Sequence, residues 1–315
     1  MTDLPSYDEL PDAPEGGRSG WGLFGADDNV GLFNLLTSER VVAAARLVKK
    51  GALFPLDAPV DAYDPPVGPG RGIPRHRVLH RSGAIVFDDV YDNFYPQGSS
   101  QWDSLGHVGY SPNAFYNGAT EEDIAGGRRN TIDHWARRGI AGRAVLLDMV
   151  LTFADGGRAY DPGTSMSFSV EDLEEARCRS RIEFQPGDVL LIHTGFAAWY
   201  LNRRTGRRAH TGGNLATPGI AHGEDMCRYL WDAHVAAVAS DTFAVEVMPP
   251  DWATPTGFLH RMLIGQFGMA LGELWWTEDL AVDCAADGVY EMFFASSPMH
   301  GPGAIGSPAN ALAIK

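Results

Sequence analysis

The sequence predicts a single α/β domain with a largely buried central β-sheet. Three observations predict it. Residues 144–150, 189–195 and 235–239 are short, almost unbroken apolar runs, the pattern of strands covered on both faces. Helical patterns alternate with these runs instead of being segregated from them. The chain carries no internal repeat and no break in composition, so residues 21–315 read as one domain behind an extended arm at 1–20.

Taken in order, the arm is acidic and rich in Pro and Gly, with no basic and apolar segments of a signal peptide, and is expected to order against the body or a partner subunit. A helix is expected from an N-cap at Thr37 to residue 50, with Val41, Ala45 and Val48 on one face, Lys49 and Lys50 in the last turn and Gly51 after it. Residues 55–75 hold six prolines and form a long loop. The acidic, aromatic run 87–95 and the polar stretch 96–107 follow as loop or strand end. Further helices are expected at 131–138, at 169–179 with Ser169 as cap, at 218–234, and from a cap at Thr256 through Phe267. A last strand is expected at 289–295.

Composition narrows the function. With 40 Asp and Glu against 25 Lys and Arg, the net charge is −15, which opposes a nucleic-acid surface. No run reaches the roughly 20 apolar residues of a membrane span. Cys178, Cys227 and Cys284 are widely spaced without a C-x-x-C pair, which argues against a disulfide framework or thiolate zinc site and suits a reducing, cytoplasmic setting. The basic segment 202–214, with Arg203, Arg204, Arg207 and Arg208, reads mainly as a solvated loop balancing an acidic body, with a substrate lid as the other reading. A small-molecule enzyme, assembled as a homodimer or homotetramer, is the expectation.

Several motifs resemble chemistry without supporting it. Gly301 to Gly306 fits G-x-G-x-x-G, but nine residues remain and no βαβ unit can follow, so no nucleotide cofactor is expected. His76 and His80 are four apart beside Pro74, without the Glu of a metalloprotease helix. No G-x-S-x-G marks a nucleophile elbow.

The stretch Pro96-Gln97-Gly98-Ser99-Ser100-Gln101-Trp102-Asp103-Ser104-Leu105-Gly106-His107 gathers amide, hydroxyl, carboxylate and imidazole groups, with Trp102 either a core plug or a substrate contact. Downstream, His260 and Glu273 sit in otherwise apolar sequence, where each needs a partner. Two carboxylates and two imidazoles could hold a divalent metal that activates water, or run acid/base chemistry without one.

This stretch resembles the H-x-G-T-H-x-D-x-P-x-H hallmark of the cyclase family, which includes kynurenine formamidase and isatin hydrolase. Asp103 matches its ligand aspartate and His107 its last histidine, while Gln97 and Gln101 stand where the family has two ligand histidines. The segments Gly142–Asp148, Gly187–Gly195, Ser240–Thr242 and Gly303–Asn310, with His260 and Glu273 in their places, extend the resemblance over residues 20–315. It implies a mixed sheet of the swivelling β/β/α type. It implies a metal set of Gln97, Gln101, Asp103, His260 and Glu273 for Mn or Zn, weakened because a carboxamide is a poor ligand beside imidazole. It also implies catalytic roles for His107, Asp103 and Glu273, with Trp102, Tyr116 and Gln101 binding a flat substrate. Hydrolysis of a small amide, cyclic amide, formamide or lactone is one expected activity. A cyclase or dehydratase using His107 and Glu273 as acid and base is the other.

Overall fold

The computed structural model describes residues 4–201 and 215–315. The basic segment at 202–214 lies outside the described residues. The strands are β1 (Leu53–Pro55), β2 (Arg75–Arg81), β3 (Val86–Asp92), β4 (Gln101–Asp103), β5 (Ile140–Asp148), β6 (Ser167–Phe168) and β7 (Val189–His193). They continue with β8 (Gly219–Ile220), β9 (Ala237–Ser240), β10 (Ala270–Glu273), β11 (Glu291–Ser296), β12 (Gly306–Pro308) and β13 (Ala311–Ile314). Nine of them make one mixed sheet in the order β1-β13-β11-β5-β7-β9-β10-β4-β12. The middle four, β5-β7-β9-β10, are parallel, and the flanking pairs are antiparallel. The apolar runs read from the sequence fall in this parallel centre, where every residue of β7, β9 and β10 is buried. At the flank, β11 alternates buried and half-buried positions because only one face is fully covered.

The helices depart from expectation where tertiary pairing outweighs local propensity. Thr37 caps as expected, its side chain accepting from the Arg40 amide, but α1 (Ser38–Ala45) stops early. Only Ala44 on it is buried, and the chain leaves so that the Lys50 and Ala52 amides can donate to the Lys315 carbonyl at 3.0 and 3.1 Å. Ser169 caps a helix at Val170–Ser180, and Thr131 precedes one at Ile132–Arg138. The strand placed at 144–150 ends at Asp148, whose carboxylate accepts from the Leu151 amide at 2.9 Å and opens a helix at Met149–Asp155. Gly219 and Ile220, expected in a helix, pair with β6 instead, and the helix begins at Glu224. Thr256 caps nothing: Phe258 precedes a short helix at Leu259–Leu263, and Glu273 ends a strand.

The run 87–95, expected as a loop or strand end, contributes β3, which pairs with β2 residue for residue from Arg75↔Asp92 to Arg81↔Val86. Both faces of this hairpin meet solvent, so it carries no alternation of polar and apolar residues. His76 stacks on Tyr91 with ring centroids 4.6 Å apart, and Arg77 pairs with Asp92 at 2.9 Å. The described part of the arm lies on the chain's own body. Tyr7 and Leu10 are buried in the main core, the Tyr7 amide donates to Asp232 at 2.7 Å, and Trp231 Nε1 donates to the Pro5 carbonyl at 2.9 Å. The arm is therefore no argument for a second copy. Among the described residues, no helix is long and apolar enough to cross a membrane.

Candidate active site

Strand β4 lies between β10 and β12, and the pleat decides which of its side chains meet the site. Gln101 and Asp103 point to one face and Trp102 to the other. Gln101 stands opposite Glu273 in the ladder, and its Nε2 donates to Glu273 Oε2 at 2.7 Å. The helix Leu259–Leu263 brings in His260, whose Nε2 lies 3.1 Å from Glu273 Oε1. One potential ligand atom from each of Asp103, His260 and Glu273 lies within 4.8 Å of the others, and all three residues are buried. Gln97 enters from the turn before β4, its amide nitrogen on Asp103 Oδ1 and 3.1 Å from His107 Nδ1. Residue 306 must be glycine for this, because a Cβ there would meet Gln97 Cγ at 2.4 Å.

Behind His260 sits Glu246, completely buried. Its two oxygens lie 2.9 and 2.8 Å from His260 Nδ1, and Phe258 stacks on the ring with centroids 4.8 Å apart. Burial opposes charge on this imidazole, but the Glu246 and Glu273 carboxylates override it, and its pKa is held well above the usual histidine range. Burial likewise opposes ionisation of Glu246, and the facing His260 prevails, keeping that carboxyl below its ordinary value. The result is an imidazolium clamped between two carboxylates, a buried charge that is tolerable only because it is paired on both sides.

The donor set fits a divalent cation. Asp103 Oδ2 is buried without a hydrogen-bond partner among the described residues, an arrangement that is costly in an apolar interior. His260 Nδ1–H is fixed by a carboxylate behind it, the outer-shell arrangement that orients a ligating imidazole, and its Nε2 can ligate once it loses its proton. Both glutamines present their amide nitrogens to the carboxylates. Gln101 turns its Oε1 to Arg71 Nη1 at 3.3 Å, and turning the amide over would set oxygen against the Glu273 carboxylate.

The comparisons with known proteins agree with this architecture. The Cyclase family model matches residues 55–247. The chain belongs to the cyclase family. A crystal structure described as a novel cyclase is 35% identical, covering 94% of this chain and 99% of its own at a TM-score of 0.82. Isatin hydrolase A from Labrenzia aggregata, bound to benzyl benzoate, is 16% identical over 89% of this chain and 97% of its own, with a TM-score of 0.59. An isatin hydrolase bound to the product analogue thioisatinate is 13% identical over 87% of this chain and 94% of its own, also at 0.59. At such identities these two share the fold. No curated protein matches.

In this cyclase-family chain, Gln97, Gln101, Asp103, His107, His260 and Glu273 come together, and two expected substrate contacts do not. Trp102 is fully buried on the far face of β4, among Phe33, Trp135, Trp275 and Phe294, and its Nε1 donates to Ser296 Oγ at 2.9 Å. It is a core plug. Tyr116 is also fully buried, with its hydroxyl donating to Asp28 at 3.1 Å. Sequence reading missed Glu246 and Arg71. Glu246 had a signal: a lone acid after the apolar Phe243-Ala244-Val245 needs a partner, as His260 does. Arg71, in a Pro/Gly-rich loop thirty positions from Gln101, had none.

Proposed function

We propose that the chain hydrolyses a small amide, cyclic amide, formamide or lactone by attack of activated water on the carbonyl. The observation that carries this reading is the unpartnered Asp103 Oδ2 beside His260 and Glu273, with His107 at the edge of the same centre. Asp103, His260 and Glu273 would hold a divalent ion such as Mn or Zn, which supplies Lewis acidity toward a carbonyl and an attacking water. The fold shared with isatin hydrolases, named for a cyclic amide, supports the substrate class.

His107 is the imidazole of the site with an accessible edge, its side chain 25% exposed against 3% for His260. We assign it the proton transfer, from water to the leaving nitrogen or oxygen. Gln97 governs which ring nitrogen can act. With its amide N–H on Nδ1, the neutral imidazole carries its own proton on Nε2. Because the same Gln97 amide nitrogen also sits on Asp103 Oδ1, the ring is held with Nδ1 as its acceptor and Nε2 toward the Asp103 carboxylate at 3.7 Å. Gln101 holds Glu273 in place and is assigned as a hydrogen-bond donor, not a metal ligand.

Turnover of a panel of formanilides, lactams and aryl lactones, followed by carboxylate release with and without chelator, tests the reading. Hydrolysis of at least one class, lost on chelation and restored by Mn or Zn, is expected. Gln101→His should lower activity without raising metal affinity. Turnover that yields only ring closure or loss of water would replace hydrolysis by the cyclase or dehydratase reading.

A further inference from the structure

Arg71 is half-buried at the edge of the site, seven residues before the helix-free hairpin strand residue Val78 and directly against the catalytic loop. Its Nη1 donates to the Gln97 carbonyl at 2.5 Å and to Gln101 Oε1 at 3.3 Å, and its guanidinium lies 5.4 Å from the Phe243 ring centroid. Through the Gln101 amide it is one side chain away from Glu273. Among the described residues no carboxylate pairs with it; its partners are the Gln97 carbonyl, Gln101 Oε1 and the Phe243 ring. Its Nε and Nη2 hydrogens have no protein acceptor among the described residues. Room for it is built in: a Cβ on the buried Gly68 would meet Arg71 Cδ, Nε and Cζ at 2.7, 2.8 and 3.0 Å, although Gly68 itself needs no left-handed backbone.

The site also has an electrostatic problem that Arg71 addresses. With no metal bound, Asp103, Glu246 and Glu273 set three carboxylates against one buried imidazole, so an anionic ligand approaching them is repelled unless a cationic side chain receives it. A guanidinium resting on an aromatic ring, with donors left unpaired, is suited to take both oxygens of a carboxylate.

We infer that Arg71 is a specificity-determining residue that binds a carboxylate on the substrate. This deepens the hydrolase reading and rests on it for the reaction, but not for the binding. The pair on which it depends is 2-formamidobenzoate and its neutral counterpart 2-formamidobenzamide, measured by calorimetry on the chelator-stripped full chain, where binding is read without turnover. Wild type should bind the carboxylate about tenfold or more tighter than the carboxamide, the scale of a charge-assisted pair. Arg71→Gln should abolish that preference by weakening the carboxylate probe far more than the carboxamide, and Arg71→Lys should restore part of it.

A merely structural role predicts otherwise. If Arg71 only staples residues 71 and 97 at the hairpin base, Arg71→Gln weakens both probes alike. That result, or a wild type that binds neither probe or both equally, overturns the inference. Carboxylate preference without hydrolysis of any probe keeps it and removes the hydrolase reading. Hydrolysis without carboxylate preference does the reverse.

Discussion

Replacing His107 by alanine is expected to lower kcat/KM by about 100- to 10,000-fold, the range for loss of a general acid/base group. Its side chain is partly exposed and its partners are the polar groups of the site, Gln97, Asp103 and the His260 ring at 6.4 Å between centroids, so the melting temperature should stay close to that of wild type. The same substitution should leave metal content unchanged, because His107 lies outside the Asp103, His260 and Glu273 group. Steady-state kinetics with thermal denaturation and metal analysis on one preparation separates these effects. Full activity in His107→Ala would move the proton transfer elsewhere.

Glu246→Ala is expected to have the largest effect on stability. It leaves His260 buried with a carboxylate on one side only, and breaking a buried ion pair costs about 3–5 kcal/mol. Glu246→Gln keeps the shape and an oxygen acceptor for His260 Nδ1–H, and should fold with a smaller loss. In that variant metal affinity should fall about 10- to 100-fold, the typical effect of losing an outer-shell partner. Chemical denaturation and metal titration of the two variants check both statements. A Glu246→Ala protein as stable as wild type would contradict the imidazolium between two carboxylates.

Much of the fold was legible because the centre of the sheet is buried on both faces. Such strands write themselves as apolar runs, and β5, β7 and β9 were read within a few residues. The hairpin of β2 and β3 left no such mark, since a strand wet on both sides has no polar–apolar alternation. Short elements held by partners distant in sequence, such as β8 against β6 or β10 against β9, were also hidden, because their stability resides in the pairing and not in local propensity. The site was legible from the one stretch that supplies Gln97, Gln101, Asp103 and His107. Of the others, His260 and Glu273 were recognisable as charges in apolar sequence, Glu246 carried the same signal and was missed, and Arg71, in a Pro/Gly-rich loop, carried none. Trp102 illustrates the ambiguity of that stretch: in a strand, neighbours point to opposite faces, so adjacency to Asp103 placed the indole away from the site.

The proposed metal ligation by Asp103, His260 and Glu273 would carry a pH dependence, since His260 must release its Nε2 proton first. That proton is held well above the usual histidine range, so affinity should go on rising, by about tenfold per unit for one proton released, beyond the pH at which an ordinary histidine site levels off. The most direct measurement is metal titration calorimetry of the chelator-stripped chain with Mn and Zn at pH 6, 7 and 8, alongside Asp103→Asn. One ion per chain in wild type, tightening with pH and lost in Asp103→Asn, is the predicted result. No bound ion at any pH, or equal binding in the variant, would contradict a metal centre at these three residues.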